Sequence, residues 1–463
     1  MRNALILALR NGNISPFRCS CNLTRTQQSE AFFVNLEIPR AWARTTYAGN
    51  AGRRPDRPRL NVSASMPSNR RFAMACFMRS GDDNFARALE NHGLLDFYAL
   101  GTRRGAKGIP PEHTRLQPIF GLLNYMAAVT LPVFQAESLR FRTFGLFDRW
   151  AQSLLRPGQH FFTGTAFAPG AMRRVKADGG LAVMDSWTSH PEDHWNLVAA
   201  EQKRWGSRYP PGARCYQDRA VESVAVADYI CTASTFVRQS YLKRGFDPQR
   251  LLLCPYPVDL SLYQPAPEAR PSNRPFTILQ TGGLSLRKGT PYLLEAFRLI
   301  RKEVPNAVLR VQRHIRNDVV GVLRRNADLP LEWSDYLDFA GHVRRYQTSD
   351  LLLFPSVEDG FAQVVAEALA CGLPVITTPN TGASDLIRPG ENGEVVPVCD
   401  AKALAEAALK WWERIRAGER IGHFDELKQR LSFEKFEETF ISHLARIGIP
   451  SQRDSKPSTL VVS

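Results

Sequence analysis

Short apolar runs alternate with segments of helical period along most of the chain. The runs FAMACF, LLDFYALGT, GLAVMDSW and LLLCPYPVD are aliphatic and aromatic, which is typical of buried strands, and a first strand is predicted at residues 59–65 (RLNVSAS). The intervening segments FARALENHG and STFVRQSYLKRG repeat apolar residues at the three- and four-residue spacing of an amphipathic helix. Strands that alternate with helices predict βαβ units and a parallel sheet.

The same alternation restarts after a proline-rich segment. Residues 264–275 (QPAPEARPSNRP) carry prolines and charges without an apolar period and are predicted to be a linker. Beyond it, FTILQTGG, AVLRVQR, YLDFAGH, SDLLLFPS and PVITTPN are predicted strands, and PYLLEAFRLIRKE and AKALAEAALKWWERI predicted helices. Two such halves predict an α/β protein of two doubly wound, Rossmann-like domains, which bind ligands at the carboxyl ends of their strands.

The pattern divides the chain into five parts. Residues 1–58 show no sustained period and resemble a transit peptide as much as a disordered extension or an overlong assigned start. The first α/β domain is predicted at 59–265 and the second at 276–432. A last helix is predicted at 433–447, able to return to the first domain, and a mobile tail at 448–463.

The net charge of +15 favours anionic partners such as phosphates or anionic lipid. Part of this excess comes from residues 1–58, which hold nine arginines, no lysine and three carboxylates. Elsewhere there is no compact run of Lys and Arg interleaved with aromatic residues. Nucleic acid is therefore not the expected partner.

The predicted location is cytoplasmic. The eight cysteines are scattered without CxxC spacing, which argues against a zinc module or a disulfide framework, and no run reaches the length of a membrane-spanning helix. The longest apolar run, residues 119–134 (IFGLLNYMAAVTLPVF), contains Asn124, Thr130 and Pro132. A buried helix is predicted there; the alternative is a helix with a membrane-surface face, which would make the protein peripheral at the inner membrane surface.

Candidate chemistry begins in ILQTGGLSLRKGTPYLLEAF, a strand followed by a glycine pair, a basic loop and a helix. Gly282 and Gly283 allow the backbone to approach a ligand closely. Arg287 and Lys288 lie where the loop meets the helix N-terminus, a combination that suits a diphosphate. The stretch is neither a GxGxxG fingerprint nor a Walker loop, and a purely structural turn would use the same residues.

A second candidate is VEDGFAQVVAEALACG, where a buried strand runs into a loop and a small-residue helix. Glu358 and Asp359 follow the strand, at the edge where α/β proteins form their sites. Glu367 is the one ionisable residue of the helix. A helix N-cap for Asp359 and a solvent-facing charge for Glu367 are the structural alternatives.

These stretches, together with STFVRQSYLKRGFDPQRLLLCPYPVD and DSWTSHP, resemble in order and spacing the motifs of the group 1 (family 4) retaining glycosyltransferases. The resemblance implies a GT-B fold, in which two Rossmann-like domains face each other across a cleft. It also implies transfer of a sugar from a nucleotide-diphospho-sugar to a glycan, lipid-linked or other acceptor, with neither cofactor nor metal. The alternatives on the same fold are a non-catalytic nucleotide-sugar or glycan-binding protein, a phosphorylase and an epimerase.

The spacing of this family's two acidic positions selects between the carboxylates. Seven residues separate Asp359 from Glu367, as the family pattern requires, so Asp359, Gly360 and Phe361 take the first position. The resemblance implies that Asp359 and the backbone N–H groups of Phe361 and Ala362 hold the sugar hydroxyls.

The remaining roles also follow from the resemblance. Arg287 and Lys288 would stabilise the charge that develops on the diphosphate leaving group. Glu367 would accept hydrogen bonds from the ribose, and His190 would reach the sugar or the acceptor from the opposite domain; a loop histidine before a proline is its structural alternative. Positioning and electrostatics would then be the main catalytic contributions.

Four features depart from the family pattern. Gly283 replaces an arginine, Pro257 and Ala362 each replace a glycine, and the segment before Asp350 is short, which predicts a shortened or lost helix. Glu358, one position out of register, is predicted to be a loop charge with no direct role.

Overall fold

The computed structural model describes residues 70–77, 82–102, 106–131, 133–209, 213–266, 274–334, 337–419 and 424–451. Residues 1–58 and the strand predicted at residues 59–65 lie outside this part of the chain.

A parallel sheet of seven described strands forms the first domain. In chain order, β1 to β7 are Phe72–Cys76, Leu95–Leu100, Thr114–Leu116, His160–Gly164, Ala182–Ser186, Tyr229–Thr232 and Leu251–Leu253. The helices α1 to α7 are Asp82–Asn91, Ile119–Thr130, Val133–Leu154, Pro169–Ala177, Pro191–Arg204, Ala213–Val226 and Thr235–Leu242. The spatial order is β3-β2-β1-β4-β5-β6-β7. Every residue of β1, β4 and β5 is buried, which is why apolar residues follow one another in these strands without the alternation of a half-exposed sheet.

A second parallel sheet has the order β10-β9-β8-β11-β12-β13. Its described strands, β8 to β13, are Thr277–Gln280, Val308–Gln312, Leu331–Ser334, Leu351–Phe354, Val375–Thr377 and Gly393–Val395. The helices that accompany it, α8 to α12, are Thr290–Glu303, Val320–Arg325, Phe339–Gln347, Gln363–Ala370 and Ala401–Arg416. The predicted fold class, two doubly wound α/β domains, is confirmed.

The strand order reverses between β8 and β11, and loops that leave a sheet at such a point form a ligand crevice. The loop after β8 therefore lies beside the loop after β11, and the Val357 N–H donates to the Arg287 carbonyl at 2.9 Å. Gly289 makes this approach possible, because a Cβ there would lie 1.8 Å from the Pro355 oxygen. The two sequence stretches singled out above thus meet at one place.

Two final helices, α13 (Phe424–Leu431) and α14 (Phe433–Arg446), follow the second sheet. The rings of Phe436 and Phe440 pack at 4.9 and 4.8 Å from that of Phe85, in α1 of the first domain. The domain boundaries proposed from the sequence stay predictions.

The strand predicted at YLDFAGH is wrong. The strand lies earlier, at β10, and the residues from Phe339 form helix α10, nine residues long. The Asp338 carboxylate starts this helix by accepting the Gly341 N–H at 2.8 Å, and a capped start outweighs the strand tendency of a short apolar run.

The prediction of a buried helix at residues 119–134 is wrong for most of the apolar side chains that the structure describes there. In α2 the side chains of Ile119, Leu122, Leu123, Tyr125 and Met126 are exposed. The helix is buried on one side, where the ring of its second residue packs against α3. Within the described ranges, no helix is both long and apolar enough to cross a membrane.

Ala362, which replaces a family glycine, takes a left-handed conformation (φ 62°) at the start of α11. This region costs a residue with a Cβ about 1–2 kcal/mol. We expect Ala362→Gly to raise the free energy of unfolding by up to about 1 kcal/mol, measured by urea denaturation. Ala368→Gly, inside the same helix, is the control and should lower it by about 1 kcal/mol or more. A lower free energy of unfolding in Ala362→Gly would show that the left-handed conformation of Ala362 is not strained.

Candidate functional site

A cavity of about 790 Å³ lies between the two domains beside the loop after β8. Four of the predicted site residues line it: Gly282, Gly283, Arg287 and Lys288. Its basic and imidazole side chains also include His194, Arg208, His314 and Arg316. Because positive charge gathers from both domains, the cavity suits an anionic ligand.

The glycine pair shapes the floor of this cavity. Gly282 and Gly283 both have positive φ, 88° and 85°. A Cβ on Gly283 would lie 2.9 Å from Nδ1 of His314. The departure from the family's arginine therefore has a local reason: His314 lies where that side chain would begin.

Lys288 forms an ion pair with Asp359, its Nζ donating to Oδ2. Burial lowers the pKa of Lys288 below its ordinary value, and the Asp359 carboxylate opposes this effect. The other carboxylate oxygen of Asp359 accepts the Ala362 N–H at 3.0 Å, at the start of α11. Asp359 thus holds the turn that precedes α11 and a cation at the cavity with the same side chain; the N-cap of α11 is Ala362, so the helix N-cap alternative for Asp359 is wrong.

Glu358 is fully buried and bound from both domains. Its carboxylate accepts the Ser189 N–H at 2.9 Å and the Ser189 hydroxyl at 3.1 Å, and lies 2.8 Å from Nδ1 of His194 and 3.2 Å from Arg287. Burial alone would raise the pKa of Glu358, but His194, Arg287 and the Ser189 N–H together hold it well below its usual range. This carboxylate therefore joins the domains beside the cavity, while the prediction that Glu358 has no direct role in the chemistry stays a prediction.

The two histidines of the first domain have different surroundings. His190 starts α5, where its Nδ1 accepts the Glu192 N–H at 3.3 Å, and its ring lies 5.0 Å from that of Tyr241. Burial, assisted by the charge of Arg244, lowers the pKa of His190 to about 4. One turn later, His194 lines the cavity and contacts Glu358. The structure therefore brings His194 to the cavity, whereas the role predicted for His190 stays a prediction.

Glu367 lies in a polar cluster outside the residues that line the cavity. Its carboxylate accepts the Tyr346 hydroxyl at 2.8 Å and lies 3.4 Å from Nε2 of His342. Burial raises the pKa of Tyr346 well above its ordinary value, and Glu367 adds to this shift. The solvent-facing alternative is thus wrong, while the role of Glu367 as a ribose ligand stays a prediction.

The backbone between the two acidic positions touches the first domain. A Cβ on Gly360 would lie 1.8 Å from the Trp187 oxygen, and the Gly360 carbonyl accepts the Ser234 hydroxyl at 2.6 Å. The ring of Phe361 packs 5.4 Å from that of Tyr256. This loop is accordingly fixed by residues of DSWTSHP and STFVRQSYLKRGFDPQRLLLCPYPVD, the two first-domain stretches that resemble family motifs.

The family model described as "Glycosyl transferases group 1" matches residues 275–414. A capsular polysaccharide biosynthesis glycosyltransferase, CapM of Staphylococcus aureus, is 32% identical over 159 residues, which is 33% of this chain and 40% of CapM. A D-inositol 3-phosphate glycosyltransferase of Geodermatophilus obscurus is 28% identical over 267 residues, 52% of this chain and 59% of that protein. The chain spans about half the length of the curated relatives it matches. The resemblance stated from the motifs is confirmed over the matched residues.

Among solved structures, a sucrose-phosphate synthase from Thermosynechococcus elongatus matches with a TM-score of 0.58 at 20% identity, covering 81% of this chain and 98% of that one. Anabaena HepE in complex with UDP matches with a TM-score of 0.56 at 14% identity, covering 81% and 100%. At these identities the likeness concerns the fold, and it confirms the predicted GT-B arrangement.

The low pKa of His190 makes stability depend on pH. Because the folded-state pKa (about 4) lies below the unfolded value of about 6.5, this contribution is complete above pH 6.5 and is lost as the pH falls toward 4. We expect His190→Asn, which keeps a capping side chain, to flatten the fall in unfolding free energy between pH 7 and pH 4.5. Urea denaturation at both values measures it; parallel curves for the two proteins would show that His190 does not titrate as described.

The buried carboxylate of Glu358 predicts strong coupling to His194. Glu358→Gln should lower the free energy of unfolding by about 3–5 kcal/mol, because His194 and Arg287 lose a buried counter-charge. His194→Gln combined with it should cost about 1–3 kcal/mol less than the sum of the single changes. Glu192→Gln, on the exposed side of α5, is the control and should change stability by about 0.5 kcal/mol or less. If the double change costs as much as the sum of the two single changes, Glu358 and His194 do not interact directly.

Proposed function

On the premise that residues 275–414 belong to the group 1 glycosyltransferases, we propose that the protein is a retaining, metal-independent glycosyltransferase. It moves a sugar from a nucleotide-diphospho-sugar to a glycan, lipid-linked or other acceptor. One observation carries the proposal: a cationic cavity at the point where the strand order reverses, between two Rossmann-like domains. Its volume is in the range of sites for ligands of this size.

The diphosphate belongs at the start of α8. The N–H groups of a helix's first turn attract anions, and the positive φ of Gly282 and Gly283 opens the backbone toward them. Lys288 and Arg287 lie in the same loop, each held by a carboxylate of the neighbouring loop. The cations are therefore in position before the ligand arrives, which reduces the cost of ordering them.

Bond cleavage at the anomeric carbon leaves negative charge on the diphosphate, and Lys288 and Arg287 stabilise it as it develops. The acceptor hydroxyl attacks on the face that the leaving group vacates and gives its proton to the departing diphosphate oxygen, so positioning contributes much of the rate. For the histidine of the opposite domain, the geometry favours His194 over His190, because His194 lines the cavity and is oriented by Glu358.

The known proteins suggest which ligands to test. The HepE structures contain UDP and UDP-glucose, and CapM is named for capsular polysaccharide biosynthesis. UDP-sugars are therefore the first donor probes, and polysaccharide or lipid-linked glycans the first acceptors. A lipid-linked acceptor would bring the protein to an anionic membrane surface, and this peripheral contact is part of the proposal.

The first experiment is a thermal-shift screen of nucleotide sugars followed by calorimetry. We expect one of them to raise the melting temperature, since a ligand that binds the folded state stabilises it. Lys288→Met and Glu367→Gln should each weaken binding about 10- to 100-fold, the loss expected for a charge-assisted hydrogen bond. The exposed residues Lys243 and Glu295 provide the matched controls Lys243→Met and Glu295→Gln, with unchanged affinity expected.

Product analysis then separates the candidate functions. Release of the nucleoside diphosphate only when an acceptor is added, and undiminished in EDTA, supports metal-independent transfer. Binding without turnover across the acceptor panel would instead favour a non-catalytic binding protein. Normal nucleotide-sugar affinity in Glu367→Gln would refute the ribose assignment while leaving the diphosphate loop intact.

A further inference from the structure

Helix α2 presents an apolar face to solvent. Ile119, Leu122, Leu123 and Met126 recur at the three- and four-residue spacing that aligns side chains on one side of a helix. Their side chains are 51, 57, 38 and 41% exposed, and Tyr125, at the border of this side, is 60% exposed. We call these five residues the α2 face. Buried apolar side chains are the rule for a folded core, so the exposure of five together marks an interaction surface.

The fold does not use this side of the helix. Phe120 points the other way, its ring 5.6 Å from that of Phe147 and 5.9 Å from that of Trp150. Ala127, two turns later on the same side as Phe120, is also buried. Because α2 is anchored through its opposite side, the α2 face can change without removing the contacts that hold the helix.

Helix α3, which packs against α2 through Phe147 and Trp150, has an exposed side with both apolar and positively charged side chains. Leu139 and Leu146 are 37 and 45% exposed, two turns apart on one side of α3. Arg142 and Arg149, each three residues after one of these leucines, are exposed on the same side. Apolar side chains are thus bordered by guanidinium groups.

Carboxylates are nearly absent from this surface in the part of the chain that the structure describes. Helix α2 contains no charged residue at all. Asp148, the one acidic residue of α3 whose side chain is described, is buried and accepts hydrogen bonds from the Gly170 and Ala171 N–H groups and from Arg219. The described charge of the surface is therefore positive, which is complementary to an anionic partner.

We propose that the α2 face inserts into the interface of an anionic lipid bilayer, with Arg142 and Arg149 contacting the headgroups. A helix whose apolar side enters the acyl boundary while neighbouring arginines meet anionic lipid is a stable membrane-surface arrangement. An amphipathic tyrosine at the border of that side suits the headgroup level. An uncharged helix flanked by arginines is the combination that an anionic bilayer requires. A protein partner that binds an apolar face would not require it.

The surface is also connected to the cavity. Phe141 of α3 lines the cavity, while its neighbours Leu139 and Arg142 belong to the outer surface. A bilayer bound at this surface would thus lie beside the cavity and supply amphipathic acceptors from its own plane. The docking assigns a surface to the peripheral contact named in the proposed function and rests on that proposal in this respect, but it does not require sugar transfer to take place.

The test is co-sedimentation of the full chain with vesicles of phosphatidylcholine alone or with 30 mol% phosphatidylglycerol, on the order of physiological surface charge. We expect binding to the anionic vesicles that weakens with added salt. Leu122→Glu combined with Met126→Glu should lower the partition coefficient at least about tenfold. Arg142→Gln combined with Arg149→Gln should lower it about fivefold for each arginine, and on anionic vesicles only.

Leu262→Glu, another exposed apolar position, is the matched control and should bind as the unmodified chain does. Circular dichroism establishes that each variant is folded, and Lys288→Met should retain membrane binding even where it loses nucleotide-sugar binding. Equal sedimentation of the Leu122/Met126 variant and the unmodified chain would overturn the proposal. So would a vesicle-free shift from dimer to monomer in that variant, since it would assign the face to a second copy of the chain.

Discussion

A carboxylate shielded from solvent, that of Glu358, receives hydrogen bonds from Ser189 and His194 of the first domain and from Arg287 of the second. Removing a charge from water costs several kcal/mol, and the cost is offset only where the lone pairs of the ion are satisfied. Here they are satisfied only while the two domains touch. Separation of the domains would break these hydrogen bonds, which is unfavourable, and would let water hydrate the carboxylate again, which is favourable. The two contributions to the free energy of domain separation therefore largely cancel. Such a balance suits a cleft that must admit and release its ligands.

The same carboxylate explains why two acidic residues stand side by side after β11. Arg287 and Lys288 are adjacent at the start of α8, and two partly buried cations so close together repel each other. Glu358 is paired with the first and Asp359 with the second. Each cation therefore has its own counter-charge before any ligand is bound, so the positive groups are already ordered at the place proposed for the diphosphate.

Much of this arrangement could be predicted from local sequence. Buried strands are apolar runs, and two motifs that follow strands β8 and β11 meet because parallel strands end at one edge of the sheet. The contacts made across the fold could not be predicted, since nothing near position 358 indicates His194 and nothing near Glu367 indicates Tyr346. The exposure of the apolar side chains of α2 could not be predicted from the sequence either. The apolar run in α2 has the composition of a core helix, and whether such a run is buried depends on how many neighbours surround it, which the run itself does not encode.

The departures from the family pattern show how the fold can replace a missing charge. Electrostatic stabilisation depends on the size of a charge and on its distance from the ligand, whichever position in the sequence supplies that charge. At Gly283 the chain has no arginine, and His314 occupies the neighbouring space. Arg316, which follows the strand next to β8, and Arg208, from the opposite domain, line the same cavity. Positive charge therefore reaches the cavity from other elements of the fold. A motif that lacks one cation is compatible with a competent site when the tertiary structure supplies the charge, and for this reason the loss of the family's arginine does not by itself argue for an inactive chain.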